Sequence, residues 1–122
     1  MRLFLGVLLL ICCVSCSMAA YTVRSAQYSI SVQLDTVGVG TRPLTVTLKD
    51  LQDQPVTDAT IVVTPIMQQH GMLGIPQLLK VTDNGVYTLT EFELSMTGEW
   101  QLQFDITRAG QRDTITLPVV IQ

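Results

Sequence analysis

The sequence predicts an all-β protein: a seven-stranded immunoglobulin-like β-sandwich that follows an N-terminal signal peptide. Apolar and polar residues alternate with a period of two over several stretches after residue 27, which is typical of strands with one buried face. Turn-forming residues separate these stretches at short intervals, and no stretch shows a helical period. A chain of 122 residues is long enough for one domain with one core, which excludes a multidomain enzyme.

The first segment of the chain is predicted to be an export signal. Arg2 precedes an apolar run at residues 3–14 that is broken only by Gly6. A run of about 12 residues fits the apolar region of a signal peptide and falls short of the ~20 residues of a membrane-spanning helix. We therefore assign residues 1–15 to a signal peptide and expect an exported protein.

Two processing sites compete at the end of this signal. Cys13-Val14-Ser15-Cys16 resembles the lipobox of bacterial lipoproteins, in which the last cysteine is lipidated and becomes the new N-terminus. Ser17-Met18-Ala19 fits ordinary signal peptidase cleavage instead, which would release a soluble secreted domain. The lipobox favours a lipoprotein that is anchored to a membrane through Cys16 and lies in the periplasm or at the cell surface. In a cell with two membranes, we expect the anchor in the outer membrane. Residues 16–27 would then be a tether, because they show neither helical nor clean strand periodicity.

Cysteine and charge content exclude several kinds of site. Cys12, Cys13 and Cys16 are the three cysteines and all lie in or beside the signal, so we expect neither a disulfide nor a Cys-based metal site. Seven Lys and Arg against ten Asp and Glu give a net charge of −3 without a basic cluster, which excludes a nucleic-acid partner. With one histidine and no nucleophile-elbow motif, the protein is predicted not to be an enzyme.

The strands follow one another from Tyr28 onward. Alternation is cleanest where Trp100, Leu102 and Phe104 are separated by polar residues. Asp83-Asn84-Gly85 is a strong tight-turn signal, because Asn and Gly tolerate positive φ. The seven predicted strands cover residues 28–34, 44–48, 59–64, 78–82, 86–92, 99–106 and 113–121.

The apolar sides of these strands form the predicted core of one domain at residues 28–122. Trp100, as the largest of these side chains, should be largely buried. The predicted core residues are Val46, Leu48, Tyr87, Leu89, Trp100, Leu102, Phe104 and Ile106.

One segment combines residue types of a metal site. Met67-Gln68-Gln69-His70-Gly71-Met72 lies between Pro65 and Pro76, which predicts a loop able to curl Met67 and His70 inward. Met96, before the strand of Trp100, would add a third thioether at the same end of the sandwich. Thioether and imidazole are soft to borderline ligands that suit Cu(I). In the alternative interpretation the methionines fill the core and the histidine is a surface residue.

Three motifs resemble the YtkA-like family of bacterial exported and membrane-attached domains. Gln54-Pro55-Val56-Thr57-Asp58-Ala59 is similar to the family's Pro-Val-x-x-Ala strand opening, and Gly85-Val86-Tyr87 to its hairpin. Met96-Thr97-Gly98-Glu99-Trp100 is similar to its Met-x-Gly-x-Trp motif and follows the Met/His loop. The resemblance extends over about residues 44–106.

The resemblance implies an immunoglobulin-like module that binds or passes copper, or that serves a respiratory or efflux system as an accessory. It implies a turn at Gly98 and a core anchor at Trp100. The ligands that it implies by position are Met67, His70, Met72 and Met96.

Two functions remain open at this point. One is an exported, lipid-anchored metal-binding or accessory module without catalysis of its own, with copper as its metal and an envelope protein as its partner. The other is a structural or interaction lipoprotein that presents a sandwich surface to an envelope complex. The ligand set separates the two, because only the first requires that these side chains bind a metal ion.

Overall fold

Two antiparallel β-sheets form the fold in the computed structural model, which describes residues 18–122. The predicted signal peptide at 1–15 and the predicted lipidation at Cys16 lie outside the described residues. The elements are β1 (Met18–Arg24), β2 (Tyr28–Asp35), β3 (Gly40–Asp50), β4 (Thr60–Met67), a 3-10 turn (Gln68–His70), β5 (Met72–Leu73), β6 (Gln77–Leu78), β7 (Lys80–Asp83), β8 (Val86–Leu94), β9 (Gly98–Arg108) and β10 (Gln111–Ile121). No helix in this part of the chain has the length and apolar character needed to cross a membrane.

The strands are divided between two sheets. Sheet A has the strand order β1-β2-β3-β8-β7, and sheet B has the order β10-β9-β4-β5, with β6 also paired to β4. The predicted all-β sandwich is confirmed, but residues 18–122 form ten strands rather than seven. The three additional strands are β1, β5 and β6, and the last two span only two residues each, which is too short for a period of two to be seen.

The core lies between the sheets and consists of the apolar faces predicted from the alternation. Along β9 the inward residues are buried, and Trp100 is only 3% exposed, as predicted. Of the predicted core residues, Leu89 alone is half-buried. The register between β3 and β8 shifts between Arg42 and Leu44, which is the site of a β-bulge, and Leu89 lies just before this irregularity on β8.

The N-terminal segment differs from the irregular tether predicted for residues 16–27. Met18–Arg24 is an edge strand that pairs with β2 along its whole length, from Met18 opposite Asp35 to Arg24 opposite Ser29. Exposed and half-buried residues alternate along it, so its hydropathy pattern is weak although the backbone pairing is complete. Backbone hydrogen bonds to β2 hold this strand and need no strong apolar face.

Strand β4 continues through Pro65 to Met67, where the sequence predicted the start of a loop. The carbonyl oxygen of Pro65 accepts a hydrogen bond from the Gly74 N–H at 2.8 Å, on the side of β5. In a strand the N and C=O of one residue point to the same side, so the missing N–H of Pro65 removes no hydrogen bond to β9. The proline therefore fits within the strand.

One end of the sandwich, which we call the Met18 end, contains the start of β1, β3 and β9 and the end of β2, β4, β8 and β10. Arg42 closes the core here and is 7% exposed. Its guanidinium donates hydrogen bonds to the carbonyl oxygens of Asp35 (2.8 Å), Gly38 (2.7 Å) and Gly40 (3.0 Å). These bonds fix the loop between β2 and β3.

Candidate metal centre

Met67 and Met72 form a cross-strand pair at the Met18 end. They lie directly opposite each other in β4 and β5. Side chains at such positions share one face of the sheet, with Cβ atoms about 4.5–5.5 Å apart. Met67 is 1% exposed and Met72 is 39% exposed, so one thioether lies in the core and its neighbour reaches the surface.

Two glycines allow the chain to turn back after β4 and to pair with it as β5. Gly71 ends the 3-10 turn with φ 60°, in the left-handed region that favours glycine. At Gly74 a Cβ atom would lie 2.5 Å from Cγ of Pro65 and 2.7 Å from its carbonyl oxygen, which no side chain could occupy. The close approach of Gly74 to Pro65 therefore keeps β5 on β4 and Met72 beside Met67.

The turn between β8 and β9 brings the third methionine to the same end of the sandwich. Trp100 Nε1 donates a hydrogen bond of 2.9 Å to the carbonyl oxygen of Met96, which fixes this turn at the edge of the indole ring. The Met96 side chain is partly buried and packs on the core. Gly98 lies against Met67, since a Cβ atom at Gly98 would be 3.6 Å from Met67 Cε. The structure thus brings the predicted thioether residues to one end of the sandwich.

A depression opens beside these methionines, between the edge formed by β5 and β6 and the end of β8. Its walls combine a thioether, an indole ring and aliphatic surface with the carboxylate of Glu93. The residues that line it are Pro65, Met72, Gly74, Ile75, Gln77, Glu93, Ser95 and Trp100.

His70 has a different environment from the methionines. It is the last residue of the 3-10 turn and is exposed. Gln68, two residues earlier, receives a hydrogen bond of 3.4 Å from Gln101 Nε2, which places the turn beside the outer face of sheet B. The imidazole is therefore on the surface, in the turn between β4 and β5, and not in the core with Met67.

The charges of the described residues are divided between the two ends. Glu93 and Glu99 lie near the methionines and are exposed. Within residues 18–122, Arg42 is the one cation at this end, and it is buried. The remaining Lys and Arg of this part of the chain lie in the opposite half of the strands, namely Arg24, Lys49, Lys80, Arg108 and Arg112. Cations are therefore favoured electrostatically at the methionine cluster.

Residues 18–122 contain no group of three or more His, Cys, Asp and Glu side chains that could hold a metal ion. The three methionines at this end of the sandwich offer thioether sulfurs instead, which are soft ligands and suit Cu(I).

The fold and the methionine cluster define a small all-β sandwich module. Residues 22–105 match the YtkA-like family, which is more than half of the chain. The chain belongs to this family, and the resemblance seen in its motifs is confirmed. Comparison with curated proteins and with solved structures finds no match.

Proposed function

We propose that this member of the YtkA-like family is an exported, lipid-anchored module that binds one Cu(I) ion and has no catalysis of its own. The observation that supports this proposal is that three methionines from separate segments lie at one end of the sandwich: Met67 from β4, Met72 from β5 and Met96 from the turn before β9. Its role is that of an accessory, which holds copper for an envelope protein.

The chemistry of these side chains supports Cu(I) over harder ions. A thioether carries no proton at any ordinary pH, so its sulfur remains available to a metal ion. The core position of Met67 keeps its sulfur away from water, whereas the partly exposed Met72 gives a metal ion a path from the surface. Glu93 at the depression attracts cations without being a preferred ligand of Cu(I).

In this proposal His70 acts as an additional ligand from the edge of the cluster. It is exposed, so it can reorient at little cost in packing. An imidazole must be neutral to bind a metal ion. Copper affinity therefore falls as the solution is acidified, down to the level that the thioethers alone maintain.

Anaerobic titration of the protein with Cu(I) against a competing chelator tests the site. We expect one Cu(I) per chain, with an affinity at least tenfold lower in Met72→Leu and in Met96→Leu, because leucine keeps the volume but removes the sulfur. His70→Ala should lower the affinity at neutral pH and abolish its pH dependence. Met18→Leu is the matched control, since Met18 lies on β1 outside the cluster, and should leave the affinity unchanged.

Equal and weak affinity in all of these variants would contradict the metal site. It would favour the alternative, an interaction lipoprotein whose methionines only fill the core and its rim. The anchor is tested separately by mass spectrometry of the mature N-terminus. We expect a lipidated Cys16, and an unmodified peptide that begins at Ala20 would contradict the anchor.

A further inference from the structure

Exposed apolar side chains gather at and beside the Met18 end. We call five of them the apolar rim: Met18, Val37, Val39, Met72 and Leu73. Val37 and Val39 are 61% and 56% exposed and project from the loop between β2 and β3. The opposite end offers a matched comparison in Leu51, which is 64% exposed in the turn after β3. Several exposed apolar side chains at one end of a fold indicate a binding surface more strongly than a single scattered one does.

The loop that carries Val37 and Val39 is held in one shape. The three hydrogen bonds of Arg42 hold it from inside the fold. From the other side, Gly38 N–H donates to the carbonyl oxygen of Gln122 at 2.6 Å, and Gln122 N–H donates to Thr36 at 3.0 Å. Because the loop is already ordered, contact with a binding surface costs little conformational entropy.

The chain that precedes the described residues indicates what covers this rim. Cys16 is two residues before Met18, and two residues span at most about 7 Å. Strand β1 is paired with β2 from its first residue, so no slack follows Met18. A lipid on Cys16 therefore holds the Met18 end close to the bilayer, with the strands running away from it.

The distribution of charge indicates how this end meets a membrane. Among the described residues the exposed cations lie in the half away from the Met18 end, whereas Glu93 and Glu99 lie near it. Attraction to anionic headgroups requires clustered Lys and Arg, which this end does not offer within residues 18–122. Contact would rest on apolar side chains and be strongest on a zwitterionic surface.

We propose that the Met18 end is a membrane-contact surface, and that its apolar rim lies in the headgroup layer of the bilayer to which the chain is anchored. This inference rests on the lipid anchor of the proposed function. It deepens that function, because the methionine depression then opens beside the membrane surface.

The test uses the full lipidated protein in phosphatidylcholine vesicles. Mass spectrometry first establishes that Cys16 carries lipid, in which case Cys12 and Cys13 have been removed with the signal. Val39→Cys and Leu51→Cys then each supply a single thiol for an environment-sensitive fluorophore. We expect the label at residue 39 to shift to the blue and to be quenched at least threefold more strongly by headgroup-labelled lipid than the label at residue 51. Quenching should not rise when anionic lipid is added or salt is lowered.

Each other outcome has a definite meaning. Equal, water-like emission from both labels in protein with a lipidated Cys16 would overturn the contact surface and leave the anchor intact. An unmodified N-terminus would overturn the anchor and the contact surface together. Protection of the label at residue 39 only in native membranes would assign the rim to a protein partner and overturn the proposal, as would binding that strengthens with anionic lipid.

Discussion

Tyr87 shows how a single side chain fastens the connection between the sheets. Its ring is fully buried, and its hydroxyl donates a hydrogen bond of 2.8 Å to the carbonyl oxygen of Val56. The hydroxyl oxygen of Tyr87 in turn accepts a hydrogen bond of 3.2 Å from the Ala59 N–H. Burial raises the pKa of Tyr87, so the hydroxyl keeps the proton that it donates. The segment that crosses from β3 to β4 is therefore tied to sheet A.

Replacing this hydroxyl should destabilise the whole domain. We expect Tyr87→Phe to lower the free energy of unfolding by about 1–3 kcal/mol, because the carbonyl of Val56 and the N–H of Ala59 lose their common partner. Urea unfolding measures the loss. Tyr21→Phe, on the edge strand β1, is the matched control and should change the stability little. An equal loss in both variants would contradict this role of Tyr87.

At the residue scale the sequence predicted the apolar core but not the polar residues that complete it. Alternation alone placed Trp100 and Tyr87 inside, because burial of large apolar side chains dominates that choice. Arg42 has the same parity as Leu44 and Val46, so the alternation did indicate an inward position. A charged side chain is normally exposed, however, and the three carbonyl groups that accept the hydrogen bonds of Arg42 come together only in the folded loop.

At the scale of elements, the β9–β10 hairpin contains a strained turn. Arg108 pairs with Gln111, and the two residues between them have positive φ, 51° at Ala109 and 76° at Gly110. This is the pattern of a type I′ turn, whose first position favours Asn over Ala. An alanine in the left-handed region costs about 1 kcal/mol or more.

Relieving this strain should stabilise the protein. We expect Ala109→Asn to raise the free energy of unfolding by about 1 kcal/mol, because asparagine tolerates the left-handed conformation. Gly110→Ala is the opposite control and should lower it by a similar amount, although nothing lies within 4 Å of the added Cβ atom. Chemical unfolding of both variants measures the changes, and a stabilised Gly110→Ala would contradict the explanation.

The elements that the sequence missed are those held by the backbone rather than by their side chains. Strand β1 has no strong apolar face, and β5 and β6 are two residues each. Their hydrogen-bond partners lie in β2 and β4. Pairing with another strand leaves no mark on the hydropathy pattern of the paired residues themselves, so periodicity could not predict it. The same reason explains why the pairing of Met67 with Met72 was not predicted, although both methionines were selected as ligands.

At the scale of the whole molecule, stability depends on a carboxylate that links β9 to β10. Asp105 accepts hydrogen bonds of 2.9 Å from Arg112 and from Thr114 across the strand pair. Partial burial raises the pKa of Asp105, but hydrogen bonds from Arg112, Thr114 and Gln103 outweigh it, so the pKa is lowered from its usual value of 3.8. The folded state thus favours the ionised carboxylate more than the unfolded chain does.

This difference predicts a specific acid sensitivity. A lowered pKa contributes stability that is complete above pH 3.8 and is lost as the pH falls through the lower folded value. We expect Asp105→Asn to be less stable than the wild type by about 1–2 kcal/mol at neutral pH. This difference in stability should shrink as the pH falls below 3.8, the usual pKa of an Asp carboxyl. Thermal unfolding across pH measures it. Asp53→Asn, in an exposed turn, is the control, and a gap at Asp105 that stays constant with pH would contradict the prediction.

The attachment of strand β1 has a mechanical consequence. Its seven residues pair with β2 alone, and the hydrogen bonds of this pair run across the strands. Force applied at Met18 along the strand axis therefore loads the bonds of all these pairs together, in shear. Ser25, just beyond the strand, is hydrogen-bonded to Asp113 on β10, which braces the far end of β1 against sliding. A sideways pull would instead open the pairs one at a time, so this joint resists tension along the strands far better than peeling.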